Sequence, residues 1–186
     1  NIEVIVTALQ ETISKLNYIC TVTFIDDGSS DCTLENIRKQ SFLYNNIFFI
    51  SFARNFGHQN ALKAALDFSN SDCVITMDGD MQHPPHLIPD LIKKWEEGNE
   101  IVYTIRKDNV AEMPRLKRKT SKLFYNLLNY LSGIELEPGT ADFRLLDKKI
   151  VDTLPGFEEN DLFGRGLVKW VGFKQVSVDY IPELRK

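Results

Sequence analysis

The chain has 186 residues, 43% hydrophobic and 11% aromatic, which is enough apolar matter for the core of one α/β domain and too much for a disordered chain. With 22 Lys and Arg against 26 Asp and Glu, the net charge of −4 argues against broad nucleic-acid binding and leaves room only for local basic patches. No run of about 18 apolar residues occurs and no secretory signal opens the chain, so no membrane span is expected. The opening stretch NIEVIVTALQETISKL puts Ile2, Ile5, Val6, Leu9, Ile13 and Leu16 on one helical face, with no cap or strand ahead of it. Apolar β-rich runs then alternate with helical patterns: TVTFID, a helix from about Asp31, NIFFIS, a helix from about Gln59, CVITMD, a helix from about Pro84, and EIVYTI. The alternation predicts a mostly parallel sheet covered by helices, in one domain over 1–186. A basic stretch at 115–122, an amphipathic helix to about Leu131, the segment GTADFRLLD, and a final helix and strand ending in KQVSVDYI complete the chain. Cys20, Cys32 and Cys73 share no metal-ligand spacing, so buried, reduced thiols in a cytosolic setting are expected.

Sheets of this kind bind ligands beyond the carboxyl ends of their strands, and three such ends are unusually polar: DDGSSD at 26–31, ARNFGHQ at 53–59 and DGDMQH at 78–83. On a strand, residues i and i+2 share a side, so Asp78 and Asp80 can aim at one point while Gly79 leaves room for a ligand. Two hard oxygen donors suit Mg2+ or Mn2+, with the remaining ligands drawn from water and substrate phosphates. A lone D-x-D also reads as a pair of solvated turn carboxylates. Asp26 and Asp27 end another buried strand, and Asp31 is placed to cap the helix that follows. Asp27 can accept a hydrogen bond from a base N–H or a ribose hydroxyl. Arg54 and Asn55 can serve phosphates or the nucleotide rim, or make ordinary surface contacts.

The stretches FIDDGSSDCT, ARNFGHQNALKAAL, MDGDMQHPP, GTADFRLLD and LVKWVGFKQV resemble the family 2 inverting glycosyltransferases of GT-A fold, a Rossmann-like α/β fold. The resemblance runs through nearly the whole chain. It is strongest to the polyprenyl-phosphate branch, which includes dolichol-phosphate mannosyltransferases and bactoprenol glucosyltransferases. That family opens on a strand carrying V-P-x-Y-N-E, so the first strand is expected to be missing here, as is a membrane region after PELRK. The resemblance implies that Asp26 and Asp27 contact a nucleotide, that Asp78 and Asp80 engage the metal and diphosphate, and that Gln82 lines the sugar-phosphate site. It places Asp142 by the acceptor as the usual base, so Asp80 and Asp142 are the candidate catalytic residues. Arg54 joins the nucleotide-sugar set.

A phosphate monoester has a second pKa near about 6 and attacks as a dianion without a base. Asp142 is then expected to orient acceptor or metal. The acceptor phosphate needs positive charge, and Arg115, Lys117, Arg118, Lys119 and Lys122 supply it, with Arg106, Arg144 and Ser121 as further candidates. Behind them Leu123, Leu127 and Leu131 line up beside Phe124 and Leu128, a stripe fit to rest on anionic lipid or to pack on the sheet. His83 and His86 have H-x-x-H spacing, but Pro84 and Pro85 between them suit a helix start better than a zinc site. His58 is read as shaping the donor pocket or contacting a helix N-terminus, and Trp170 as core. The expected activity is transfer from a UDP- or GDP-sugar to a polyprenyl phosphate at the cytoplasmic face of a membrane, with self-association left open. The alternatives are a carbohydrate hydroxyl acceptor, a metal-dependent phosphohydrolase, and a non-catalytic nucleotide-sugar binding module.

Overall fold

The computed structural model describes residues 1–107, 140–153 and 172–181. In chain order these form α1 (Ile2–Ile13), β1 (Val22–Asp26), α2 (Thr33–Leu43), β2 (Ile47–Ser51), α3 (His58–Asp67), β3 (Cys73–Thr76), a 3-10 turn (Pro85–Leu87) running into α4 (Ile88–Glu96), β4 (Ile101–Arg106), β5 (Thr140–Asp147), α5 (Lys148–Thr153) and β6 (Gln175–Tyr180). Among the described residues the expected helices and strands hold to within a few residues, while the helix to about Leu131 and the final helix before KQVSVDYI lie outside them. Asp31, expected to cap α2, instead precedes the N-cap Cys32; its Oδ1 still accepts the Thr33 N–H at 2.9 Å, and hydrogen bonds from the Thr33 side chain and amide hold its carboxyl below the ordinary range. Pro85 begins the 3-10 turn and Pro89 sits in the first turn of α4, positions where a missing N–H costs little.

Where one mostly parallel sheet was expected, the described strands form two sheets. β1 and β2 pair in parallel, with Val22 opposite Ile47 and Asp26 opposite Ser51. The second sheet has the order β3-β5-β4-β6, in which β5 runs antiparallel to both neighbours while β4 and β6 are parallel. Apolar periodicity reports which face is buried and carries no strand direction, so the reversal of β5 left no mark in the pattern. Side-chain hydroxyls lock the inserted strand: Thr76 Oγ1 donates to the Asp142 carbonyl at 2.7 Å, and Thr104 Oγ1 to the Phe143 carbonyl at 2.9 Å.

Alternation along β4 and β5 splits the core in two. Val102, Phe143 and Leu145 pack on Ile5 and Leu9 of α1 and Leu91 of α4, whereas Ile101, Tyr103 and Leu146 pack on Leu66 of α3 and Ile150 of α5. Between the facing edges of β1 and β3 lies a cleft of about 940 Å³, lined by the consecutive residues 19–27 and 69–79 together with α1, α3 and α4. Successive strand residues point to opposite faces, so a lining that takes every residue of both strands touches their edges. Among the described residues no helix is long and apolar enough to cross a membrane.

The expectation of three buried thiols needs correction. Cys32 is exposed, because it stands at the rim where α2 begins, while Cys20 and Cys73 are half-buried. Burial pushes the Cys73 thiol up to about 11.

Candidate active site

The carboxyl end of β1 is tied to the loop after β2. Asp26, buried at the strand end, accepts the Ser29 N–H at Oδ1 (3.2 Å) and the Ser51 hydroxyl at Oδ2 (2.9 Å), so its carboxylate closes the turn from behind. Asp27 reaches across: Oδ1 accepts the Phe56 N–H at 2.7 Å and Oδ2 the Gly57 N–H at 2.9 Å. Gly28 lets the two loops touch. Its φ is +70°, and a Cβ there would lie 2.4 Å from the carbonyl carbon of Arg54. The loop so held presents Arg54, whose guanidinium carbon sits 4.8 Å from the Phe56 ring centroid. Asn55 is exposed beside it.

The end of β3 carries a turn closed on itself. The Asp78 side chain is 43% exposed. A side chain at Gly79 would meet no protein atom within 4 Å, so that space is open to a ligand. Asp80 Oδ1 accepts the Gln82 N–H at 3.1 Å. Met81 takes φ +65°, a conformation costing about 1–3 kcal/mol for a residue with a side chain, and its burial in the first core cluster holds it there. The Asp78 N–H donates to His83 Nδ1 at 2.9 Å. His83 is buried, stacked on Phe143 at 5.3 Å between ring centroids and edge-on to Tyr180. Burial lowers its pKa against the opposing pull of Asp78, Asp80 and Asp142, so the ring is neutral with Nδ1 bare. Arg106, at the end of β4, donates to Gln82 Oε1 at 3.2 Å.

β5 brings the last carboxylate. Asp142 Oδ1 accepts from Arg144 Nη2 at 2.7 Å, and Oδ2 lies 3.6 Å from Nε2 of His58, the first residue of α3. The Arg144 side chain is only 4% exposed and is paired with the Asp142 carboxylate. Asp26, Asp27, Asp78 and Asp142 all line the cleft, joined by Gly79 and His58, so one cavity takes carboxylates from the carboxyl end of β1, the turn after β3 and the amino-terminal part of β5. Arg115, Lys117, Arg118, Lys119, Ser121, Lys122, the apolar stripe of Leu123, Phe124, Leu127, Leu128 and Leu131, and Trp170 lie outside the described residues.

Asp78 and Asp80 fit a hard divalent cation by donor chemistry. They offer carboxylate oxygens on one turn beside open space at Gly79, and among the described residues no group of three His, Cys, Asp or Glu competes as a closed cage. His86 is exposed while His83 is buried, so the two do not share an environment. Sequence reasoning missed two contacts, that of His83 with the Asp78 amide and that of His58 with Asp142. The first joins residues five apart and is readable only once the turn is known. The second has no local signal.

The Glycosyl transferase family 2 model matches residues 2–154. The uncharacterized glycosyltransferase YkcC of Bacillus subtilis (strain 168) is 38% identical over 95% of this chain and 54% of its own length. A prophage bactoprenol glucosyl transferase homolog of Escherichia coli (strain K12) is 38% identical over 89% of this chain and 54% of its own. The chain thus spans about half the length of these relatives. Among solved structures, a mannosyltransferase from Pyrobaculum calidifontis in complex with GDP-Man and Mn2+ aligns with a TM-score of 0.62 at 16% identity, covering 97% of this chain and 52% of that one. With the family match running through most of its length, the chain belongs to glycosyl transferase family 2 and has the GT-A fold.

Proposed function

We propose that the whole protein moves a sugar from a UDP- or GDP-sugar to a polyprenyl phosphate, with inversion at the anomeric carbon. The observation that carries this reading is that Asp26, Asp27, Asp78 and Asp142, from β1, the turn after β3 and β5, line one cleft. Asp78 and Asp80 hold Mg2+ or Mn2+. When bound, such a cation neutralises charge gathering on the departing diphosphate. Asp27 fixes the loop that presents Arg54 to the donor phosphates, and each of its oxygens keeps a second lone pair for a base N–H or a ribose hydroxyl. Asp26 supports that end through Ser29 and Ser51. Gln82 and Arg106 stand together on the sugar-phosphate side of the turn.

A polyprenyl phosphate arrives as a dianion and needs no base, and the bond from Arg144 to Asp142 Oδ1 supports an orienting role for this carboxylate. The name of the Escherichia coli relative supports a bactoprenol-type acceptor. Such an acceptor puts the reaction at a membrane, on the cytoplasmic face where nucleotide sugars are made. The basic run from Arg115 to Lys122 would supply the positive charge that the lipid phosphate needs.

Membranes holding the whole protein, supplied with Mg2+, are offered UDP- and GDP-sugars with and without polyprenyl phosphate, and labelled sugar entering the lipid fraction is counted. Lipid-dependent transfer that is lost in Asp78→Asn and Asp80→Asn is the expected result. Transfer to a glycan hydroxyl, or hydrolysis without transfer, would overturn the assignment.

A further inference from the structure

We infer that His83 is the positioning residue of the cation-binding turn: its bare Nδ1 holds the Asp78 amide, and its ring rivets that turn to the strand carrying Asp142. The inference rests on the reading of Asp78 and Asp80 as cation ligands. Three observations carry it. The Asp78 N–H points at Nδ1 at 2.9 Å, so the backbone of the first ligand is pinned from within the core. The ring stacks on Phe143, with an interplanar angle of 21°, and Phe143 is the neighbour of Asp142 in β5. His83 is 5% exposed, so no water competes for that bond. The second ligand is fixed by a different bond, from the Gln82 N–H to Asp80 Oδ1. The turn therefore has two independent locks, and His83 is the one that joins it to the rest of the site.

An imidazole is an unusual choice for this duty, because a buried histidine must stay neutral to accept. The two properties it combines can be separated by substitution. His83→Phe keeps a flat ring for Phe143 and loses the acceptor. His83→Asn keeps an acceptor near the Nδ1 position and loses the stack.

The whole protein in detergent is titrated with Mn2+ alone and followed by electron paramagnetic resonance, and exchange of the Asp78 amide is followed in parallel without metal. Removing a support of this kind is expected to weaken Mn2+ binding about tenfold in His83→Phe, with faster exchange at Asp78. His83→Asn is expected to bind Mn2+ within about threefold of wild type while melting at a lower temperature. Equal Mn2+ affinity in His83→Phe and wild type, or equal loss in both variants, would overturn the inference. In the wild type, 15N-labelled histidine should show Nδ1 without a proton, and a protonated Nδ1 would overturn it even if neither variant folds. No Mn2+ uptake by the wild type would sink the cation reading, and the inference with it. Unaltered Asp78 exchange in His83→Phe would sink the inference alone.

Discussion

Arg144 Nη2 lies 2.7 Å from Asp142 Oδ1, a pair in which the arginine is 4% exposed and the carboxylate 25%. A fully buried pair broken on one side typically costs about 3–5 kcal/mol, and the partial exposure of Asp142 reduces that by screening. A double-mutant cycle of Asp142→Asn with Arg144→Met is expected to give a coupling energy of about 1–3 kcal/mol by denaturant unfolding. A coupling near zero would mean that the pair orders neither side chain.

Gly28→Ala tests the contact between the two nucleotide-side loops. The new methyl would press on the Arg54 backbone from a left-handed conformation, 2.4 Å from its carbonyl carbon. Overlap with backbone cannot be relieved by a rotamer change, so a loss of about 2–4 kcal/mol is expected. Donor affinity should fall with it, since Asp27 would lose its hold on Phe56 and Gly57. Wild-type stability in this variant would show that the loops can part freely.

Cys73 gives a pH dependence of definite sign. Its thiol is raised from the ordinary value of 9.0 to about 11 in the folded protein, chiefly by burial. The folded state then keeps its proton longer than the unfolded one, so the stabilisation is complete below about 9 and drains away between about 9 and 11. Cys73→Ala should flatten that part of the stability profile relative to wild type. An unchanged alkaline slope would assign it to other groups.

Much of this was legible in the residues. The 3.6-residue spacing of Ile5, Val6 and Leu9 gave α1 its buried face, and the apolar runs gave β1 to β4 nearly to the residue. Of the polar strand ends, those holding Asp26, Asp27, His58 and Asp78 line one cleft. The direction of β5 was not legible, since antiparallel and parallel strands bury the same alternate residues. Nor was the internal duty of Asp26, which depends on Ser51 in a neighbouring strand. The burial of Arg144 against Asp142 was not legible either, because nothing in sequence distinguishes a rim arginine from one folded under a carboxylate.

The insertion of β5 between β3 and β4 also sets an order of events during synthesis. The α1-to-α3 segment contains β1 and β2, whose parallel pairing needs no residue beyond Ser51. β3 and β4 must wait, because the strand that pairs with both begins at Thr140, well after Arg106 ends β4. At about 5–20 residues per second the ribosome needs a few seconds to cross that interval. The second sheet is therefore a late and non-local assembly, and its rate of closure governs when Asp142 joins Asp78 in the nascent protein.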